Sequence, residues 1–297
     1  MNTRNLRFKS NRVRDILALF HEELDGVYGS GEVAVFCEML CEAILGWDKV
    51  KLLTSKELTI DQSDLLRFHW ALEDLKHYRP IQHIIGYNDF CGCRIAVSPD
   101  VLIPRPETEE IVNWTISTIN PHLSSLNILD LCTGSGCIAI ALKKAFPQAS
   151  VDAIDLLDKA LVVAKSNAES NGTDIKLMQD NIIAPTISYQ RSTYQLIISN
   201  PPYVREGEKA SMQRNVLDYD PAMALFVSDE DPLRFYEAIA RIATQSLAPQ
   251  GLMVVEINES LADETSALLR EHGFCSTVHD DFRGRPRWIS AQLNTKQ

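Results

Sequence analysis

The chain has 297 residues and a formal net charge of −11, with 45% hydrophobic and 23% charged residues. This is the composition of an ordinary globular protein, and the length favours a main domain with a smaller companion, because single cores seldom grow past roughly 250–300 residues. Proteins that bind a nucleic-acid backbone usually carry a basic face, so the acidic balance disfavours stable nucleic-acid binding. The start is polar and basic and no apolar run approaches the roughly 20 residues of a membrane span. We therefore expect a cytoplasmic protein.

The seven cysteines predict neither a disulfide framework nor a metal site. Their number is odd, no two are spaced as C-x-x-C, and no histidine stands at zinc spacing nearby. A metal site built on Cys91 and Cys93 is the alternative, but one intervening residue is a poor spacing for two ligands on one ion. We interpret all seven as reduced thiols.

The first part of the chain is predicted to be helical. Apolar residues recur at helical spacing in RVRDILALFHEEL, EVAVFCEMLCEAILGW and DLLRFHWALEDLKHY. Asp61 is a plausible N-cap of the third segment, and Pro80 follows it as a stop. Residues 1–85 therefore form a small helical domain.

The next segment indicates a change of structure. GYNDFCGCRIAVSPDV has short alternating segments around Gly92, which predicts a β-hairpin linker at 86–104. LIPRPETEEIVNWTI follows, in which two prolines confine a loop and a helix with an acidic first turn begins at Glu107.

From Asn127 onward, apolar strands alternate with helices of ten to fifteen residues. The strands are predicted in NILDL, SVDAID, IKLMQD, YQLIISN, GLMVVEIN, FCSTVHDD and RWISAQL. This alternation predicts an α/β, Rossmann-like domain over 105–297 with a seven-stranded, mainly parallel sheet.

A glycine-rich turn follows the first of these strands. In ILDLCTGSGCIAIA, the residues Gly134, Gly136 and Ala139 match G-x-G-x-x-A, a fingerprint of dinucleotide sites that is weak by itself. Asp155 ends the next strand and is positioned to accept hydrogen bonds from a ribose diol, as either a dinucleotide or another adenosyl ligand requires.

Two further acidic residues favour one of these ligands. Asp130 precedes the turn, where a carboxylate would repel a pyrophosphate but suit an ammonium and a sulfonium. Asp180 ends the third strand, where it could accept from an adenine amino group, with Asn181 beside it. S-adenosylmethionine carries the ammonium, the sulfonium and the adenine, so we expect it to be the cofactor.

The run SNPPYV ends the fourth strand, at the sheet edge where α/β proteins bind ligands. Asn200 offers a side-chain carbonyl and Pro201 a backbone carbonyl, and the two acceptors can converge on a planar NH2 group. Tyr203 offers a flat face for that group. We expect methyl transfer to a planar nitrogen, and this pattern does not distinguish an amide from a nucleic-acid base.

ILDLCTGSG, AID, MQD and SNPPYV, in this order, resemble the class I amino methyltransferases. Within that group, RPIQHIIGYNDFCGCRIAVSPDVLIPRPETEEIV is similar to the signature of the HemK/PrmC family, and the similarity runs from about Arg79 to Ala291. The family methylates the glutamine of the GGQ motif in class 1 peptide chain release factors. The resemblance implies that activity, a release factor as protein partner and a helical domain that binds the release factor.

The resemblance also implies roles for individual residues. Asn200, Pro201, Pro202 and Tyr203 would form the glutamine pocket, with Arg105 and Glu107 either in the wall of the active site or in a structural ion pair. The residues expected to contact S-adenosylmethionine are Asp130, Cys132, Thr133, Gly134, Ser135, Gly136, Asp155, Asp180, Asn181 and Asn200. Members of the family often have an aromatic residue stacked on adenine at the position of Asn181, a contact that asparagine cannot make.

Three alternatives stay open at this point. The acceptor could be a glutamine of a ribosomal protein or an amino group of a nucleic acid, because the same pocket serves both. The chain could also be an interaction module that binds the cofactor without turnover, although the intact NPPY favours catalysis.

Overall fold

The computed structural model describes residues 8–119, 126–189 and 193–294. Contacts divide these residues into two compact units. One contains the described residues up to Gly86 together with Arg214–Tyr219, and the other contains Tyr87–Gln213 and Asp220–Gln297 within the described ranges. No helix in the described ranges has the length and apolar character needed to cross a membrane.

The first unit consists of helices. They are α1 Val13–Tyr28, α2 Ser30–Leu45, α3 Lys49–Thr54, α4 Gln62–Lys76 and α5 Ile81–Ile85. Helix α4 begins as predicted, because the Asp61 side chain accepts a hydrogen bond from the Asp64 amide. The apolar stripes of α1, α2 and α4 meet in one core that contains Phe20, Leu40 and Phe68.

A segment from much later in the chain belongs to this helical unit. Helix α9, Arg214–Tyr219, groups with it although the flanking residues belong to the second unit. The Tyr219 hydroxyl donates to the His77 carbonyl at 2.9 Å, and the Arg214 guanidinium lies 4.5 Å from the centre of the Tyr78 ring. The pattern of predicted helices gave no sign of this pairing.

The second unit begins with the predicted hairpin of β1 Tyr87–Phe90 and β2 Cys93–Ala96. The strands pair antiparallel with Phe90 opposite Cys93. Cys91 and Gly92 form the two-residue turn, and both have positive φ angles, 47° and 71°, as a type I′ turn requires.

A seven-stranded sheet forms the centre of the second unit. Its strands are β3 Asn127–Leu131, β4 Ser150–Asp155, β5 Lys176–Gln179, β6 Tyr194–Ser199, β9 Leu247–Glu256, β10 Phe274–Asp280 and β11 Pro286–Leu293. Their order is β10-β11-β9-β6-β3-β4-β5. β3, β4, β5, β6 and β9 run parallel, β11 runs antiparallel to β9, and β10 pairs antiparallel with β11 and so runs in the same direction as β9. The predicted α/β sheet is confirmed.

The remaining elements surround this sheet. They are α6 Pro106–Thr118, α7 Cys137–Ala145, α8 Asp158–Ser170, β7 Val204–Arg205, α10 Ala222–Leu225, β8 Phe226–Val227, α11 Arg234–Ser246 and α12 Ala262–Glu271. Alternate residues of β3 enter different cores: Ile128 packs in the core that includes α6 and α7, and Leu129 in the core that includes α11 and α12. The parallel strands are therefore covered on both faces, as their continuous apolar runs require.

Candidate active site

An open cleft lies where the parallel strands β3, β4 and β6 end. Two adjoining pockets form it, and both are lined by Cys132, Asp155, Leu156, Met223 and Phe235. The first extends towards Arg105 and Asn200, and the second towards Asp180 and Asn181. The cleft therefore lies at the carboxyl edge of the sheet, where α/β folds bind their ligands.

The glycine turn between β3 and α7 has two glycines with different functions. Gly136 has φ +81°, and a Cβ atom there would lie 3.1 Å from the Ala164 Cβ, so glycine permits the close packing of α7 against α8. Gly134 has φ +54° with open space above it and lines the cleft. A ligand can therefore approach the backbone at Gly134.

Cys132, Thr133 and Ser135 also line the cleft at this turn. The turn is braced by the hairpin, because the buried Asn167 side chain donates to the carbonyls of Ser135 and Ala96 at 2.9 and 3.0 Å. The same side chain accepts from the Ala96 amide at 2.8 Å. The turn is thus held in place independently of any ligand.

Asp155 is placed as predicted, at the end of β4 and in the wall of the cleft. Its carboxylate accepts from the amides of Gly134 and Leu157 at 2.8 and 2.9 Å, one on each oxygen. Burial raises the pKa of Asp155 and the backbone donors lower it, with burial dominant. The carboxylate has about four acceptor positions, so these backbone donors leave it capacity to accept from a ribose diol.

Asp130 lies beneath the turn rather than at its mouth, and its predicted contact with the cofactor stays a prediction. It is fully buried and does not line the cleft, and it accepts from the Thr133 hydroxyl at 2.5 Å. Burial raises the pKa of Asp130 to about 7. The carboxyl group thus supports the turn, and the structure gives it no contact with the cleft.

The predicted contact between Asp180 and adenine stays a prediction, and the partners that Asp180 has within the chain do not favour it. Asp180 lines the second pocket, but its carboxylate accepts from the Thr186 amide and hydroxyl, both at 2.9 Å, the Tyr189 hydroxyl at 3.0 Å and the Ile187 amide at 3.3 Å. Burial raises the pKa of Asp180, but these donors hold it below its usual value. All four lone pairs are used, so Asp180 organises the loop after β5.

Asn181 lies beside it with an amide that is already oriented. Its Oδ1 accepts from the Ile183 amide at 3.0 Å, which leaves Nδ2 to donate into the second pocket. Leu156, Met223 and Phe235 line the cleft nearby, with Leu156 and Met223 exposed. These apolar side chains can take the stacking role that asparagine lacks, and the sequence pattern did not single them out.

Asn200 lines the first pocket, and a chain of hydrogen bonds fixes its side chain. Asn200 Nδ2 donates to the Thr108 hydroxyl at 3.0 Å, and that hydroxyl donates to the carboxylate of Glu256 at 2.7 Å. The other oxygen of Glu256 accepts from the Tyr203 hydroxyl at 2.9 Å. The Asn200 Oδ1 is therefore the oxygen left for a substrate.

The remaining NPPY residues divide into two groups. Pro202 lines the first pocket, whereas Pro201 is buried outside the lining. Tyr203 is anchored at both ends, since its hydroxyl reaches Glu256 and its carbonyl accepts from Asn258 Nδ2 at 3.1 Å. Burial and the Glu256 carboxylate raise the pKa of Tyr203 well above its usual value, so the phenol stays protonated and donates.

The two predicted residues of the signature loop have different positions. Arg105 lines the first pocket and its guanidinium pairs with the buried carboxylate of Asp220. Glu107 is half-buried and does not line either pocket. Thr108, which sequence reasoning missed although it lies in IPRPETE, lines the pocket and holds Asn200.

The residues of this cleft suit S-adenosylmethionine. The open backbone at Gly134, the acceptor pair of Asp155 and the donor at Asn181 lie along one continuous cleft that ends at the Asn200 amide oxygen. A seven-stranded sheet with this arrangement defines an S-adenosylmethionine-dependent methyltransferase of the class I fold.

Comparison with known proteins narrows this class. A family model described as "Methyltransferase small domain" matches residues 113–218, and one described as "PrmC N-terminal domain" matches residues 16–86. The hMettl16 catalytic domain, solved in complex with MAT2A 3'UTR hairpin 1, is 17% identical with a TM-score of 0.55, and the match covers 88% of this chain and 92% of that one. This likeness shows the fold alone.

Curated relatives match over nearly the whole chain. The "Release factor glutamine methyltransferase" of Flavobacterium psychrophilum is 41% identical, over 95% of this chain and 99% of its own length. The protein of the same name from Bacteroides thetaiotaomicron is 37% identical, over 93% and 98%. The chain belongs to the release factor glutamine methyltransferase family.

Proposed function

We propose that this enzyme transfers a methyl group from S-adenosylmethionine to the side-chain amide nitrogen of the glutamine in the GGQ motif of class 1 peptide chain release factors. The observation that carries the proposal is the orientation of Asn200. Its Nδ2 is held by Thr108, so its Oδ1 is presented to the cleft beside the glycine turn.

That orientation suits an amide as methyl acceptor. The lone pair of an amide nitrogen is delocalised, and the nitrogen is a weak nucleophile. When Asn200 Oδ1 accepts one of its hydrogens, the nitrogen is oriented and a pyramidal geometry is favoured. The second acceptor would be the Pro201 carbonyl, which must be reached from the pocket because Pro201 itself lies outside the lining. Pro202 and Arg105 would form walls of the pocket around the glutamine. Tyr203 lines neither pocket, and it would support the NPPY run from behind through Glu256.

The reaction needs no strong base among these residues. S-adenosylmethionine supplies a methyl group made electrophilic by the sulfonium. The amide nitrogen forms the new bond to carbon while the carbon–sulfur bond breaks, the bonding electrons stay on sulfur, and the extra proton leaves the nitrogen for solvent. In-line positioning of two reactants can supply on the order of 7–11 kcal/mol, and Gly134, Asp155 and Asn200 would provide it.

Three observations favour a protein glutamine over a nucleic-acid base. The net charge is −11, which is unsuited to a phosphate backbone. The IPRPETE signature supplies Thr108 and Arg105 to the pocket, and the relatives over the full length are named as release factor glutamine methyltransferases. A nucleic-acid acceptor and a ribosomal-protein glutamine are outcomes of the test below.

The test offers several acceptors to one enzyme preparation. Purified enzyme and labelled S-adenosylmethionine are incubated with a class 1 release factor, with its GGQ glutamine-to-alanine variant, with ribosomal protein and with rRNA. We expect label on the native release factor alone. Label on both factors, or on ribosomal protein or rRNA instead, would contradict the proposal.

The helical unit would supply affinity for the release factor outside the GGQ loop. This role fits a unit that has its own core around Phe20 and Phe68 and contributes no residue to the lining of the two pockets. We expect a KM for the intact release factor at least about tenfold below that for an isolated GGQ peptide, which corresponds to about 1.4 kcal/mol. Equal KM values would contradict this role.

A further inference from the structure

Glu256 is a buried carboxyl group beside the acceptor site. It is the last residue of β9, and it is 1% exposed. β9 lies parallel to β6 with Val255 opposite Ser199, so Glu256 lies alongside Asn200 at the edge of the sheet. Burying a carboxylate costs free energy unless hydrogen bonds compensate for the lost water. The partners of Glu256 therefore indicate its function.

The hydrogen bonds to Glu256 come from two hydroxyl groups. Thr108 donates to Oε2 at 2.7 Å and Tyr203 donates to Oε1 at 2.9 Å. A hydroxyl has one proton and two acceptor lone pairs. Once the Thr108 proton is directed to Glu256, Thr108 can only accept from its other neighbour, and that neighbour is Asn200 Nδ2 at 3.0 Å.

The direction of this chain of hydrogen bonds determines what Asn200 offers to a substrate. An ionised carboxylate only accepts, so each donor must point towards it and the nitrogen of the Asn200 amide must face Thr108. Were the direction reversed, Thr108 would donate to the Asn200 oxygen and the amide would turn its NH2 to the cleft. That group would repel the NH2 of a glutamine instead of accepting from it.

The charged groups around Glu256 act in opposite directions on its ionisation. Burial raises the pKa of Glu256, whereas the two hydroxyl donors and the charge of Arg287 lower it, and Glu107 raises it. Arg287 is itself held by Asp281, with Nη2 3.2 Å from the Asp281 carboxylate. Burial is the largest of these effects, so the pKa of Glu256 is raised, and the hydroxyls and Arg287 oppose that rise. The accepting role of Glu256 rests on the geometry, since both hydroxyl groups donate to its carboxyl oxygens.

We propose that Thr108 and Glu256 are positioning residues that fix the Asn200 amide with its oxygen towards the methyl acceptor. Glu256 anchors the Thr108 proton, Thr108 anchors Asn200 Nδ2, and the second oxygen of Glu256 anchors Tyr203 at the other end of the NPPY run. The proposal rests on the proposed function, because it specifies how the same pocket selects an NH2 group.

The experiment compares Thr108→Val with Thr108→Ser. Valine keeps the shape of threonine but cannot relay the hydrogen bond, whereas serine keeps the hydroxyl. Each variant is assayed for kcat with the release factor, for the Kd of S-adenosylmethionine by calorimetry and for Tm. We expect Thr108→Val to lower kcat about 100-fold, within the range known for a displaced hydrogen-bonding group at a reacting centre, with the cofactor Kd changed less than about threefold and serine recovering most of the rate.

A spectroscopic measurement needs no substrate. The side-chain NH2 resonances of Asn200, assigned by their loss in Asn200→Ala, are compared in 15N-labelled enzyme. We expect the hydrogen-bonded proton to lose its downfield shift in Thr108→Val and to keep it in Thr108→Ser. This result stands even if the release factor is not the substrate, so a failure of the proposed function is distinguishable from a failure of the relay.

Two results with Thr108→Val would overturn the proposal. If Thr108→Val leaves both kcat and the Asn200 resonances unchanged, the relay does not position Asn200. If it lowers Tm and reduces activity only in proportion to the unfolded fraction, with the resonances unchanged, the network serves only to attach α6 to the sheet.

Discussion

Arg105 pairs with Asp220 across 115 positions of sequence and joins the loop before α6 to the segment before α10. The Asp220 side chain is 1% exposed, and burial raises its pKa while the Arg105 charge and the Ile103 amide lower it. Both segments carry residues of the first pocket, among them Pro104 and Met223. The pair therefore fixes the two sides of the acceptor site relative to each other.

The first prediction concerns this pair. Arg105→Ala leaves a buried carboxylate without its cation, and because Arg105 is about one-third exposed we expect a loss of only about 1–3 kcal/mol in the free energy of unfolding. Adding Asp220→Asn removes the uncompensated charge and should recover part of that loss. Urea denaturation of both single variants and the double variant measures the coupling. Strictly additive losses would mean that the pair does not interact.

The second prediction separates the two glycines of the turn. Gly136→Ala places a Cβ 3.1 Å from the Ala164 Cβ at a positive φ angle, so we expect it to destabilise the fold by about 1–3 kcal/mol. Gly134→Ala meets no protein atom within 4 Å and should cost about 1 kcal/mol, but its methyl group enters the cleft. We expect the Kd of S-adenosylmethionine to rise at least about tenfold in Gly134→Ala, as measured by calorimetry. If the two substitutions change stability and cofactor binding equally, Gly136 does not serve packing and Gly134 does not serve ligand access.

The third prediction uses the buried carboxyl of Asp130. Its pKa is raised to about 7, against an ordinary value of 3.8, so ionisation penalises the folded state. The penalty is absent below about pH 3.8, grows as the pH rises and is complete above about pH 7, where it amounts to at most on the order of 4 kcal/mol. We expect Asp130→Asn to raise Tm relative to the wild type at pH 8 and less so at pH 5. A difference in Tm that is constant over this range would show that Asp130 is not buried in the ionised form.

The fourth prediction concerns adenine. Phe235 lines both pockets, and Asn181 cannot stack on a base. We expect Phe235→Ala to raise the Kd of S-adenosylmethionine about tenfold, since stacking of a base on an aromatic ring contributes about 1–3 kcal/mol. Phe282→Ala, at a ring that is 65% exposed and outside both pockets, is the matched control and should leave the Kd unchanged. If the two variants bind equally well, adenine does not contact Phe235.

The fifth prediction addresses Asn200 directly. Asn200→Ala removes the acceptor for the glutamine NH2, and we expect kcat to fall at least about 100-fold while binding of the cofactor persists in part. Asn113→Ala, at an exposed asparagine of α6, serves as the control. Near-normal turnover by Asn200→Ala would exclude the proposed role.

The fold could be predicted from the sequence because helices and strands leave local periodic patterns of apolar residues. The seven strands, α1, α2, α4 and the hairpin follow from periodicity, and Asp155 and Asn200 follow from their places at strand ends. Helix α9 could not be assigned to the helical unit, because its partners His77 and Tyr78 lie more than a hundred positions earlier. Such pairings arise from tertiary contacts, which leave no periodic pattern in the sequence.

The directions in which side chains point could not be predicted from the sequence either. Asp130 and Asp180 stand at or next to strand ends, as Asp155 does. Thr133 donates to one oxygen of Asp130, and the loop after β5 donates to both oxygens of Asp180. Thr108 and Glu256 lie within IPRPETE and VVEIN, so the motifs marked the right segments. Only the folded geometry shows that these two residues meet at Asn200.

The most direct test of the account is to locate the methyl group on the product. Release factor incubated with enzyme and S-adenosylmethionine is digested, and tandem mass spectrometry of the GGQ peptide assigns the added mass. We predict a single methyl group on the glutamine side chain, with N5-methylglutamine recovered after enzymatic hydrolysis. A methyl group on another residue, or an unmodified GGQ peptide after incubation with active enzyme, would contradict the account.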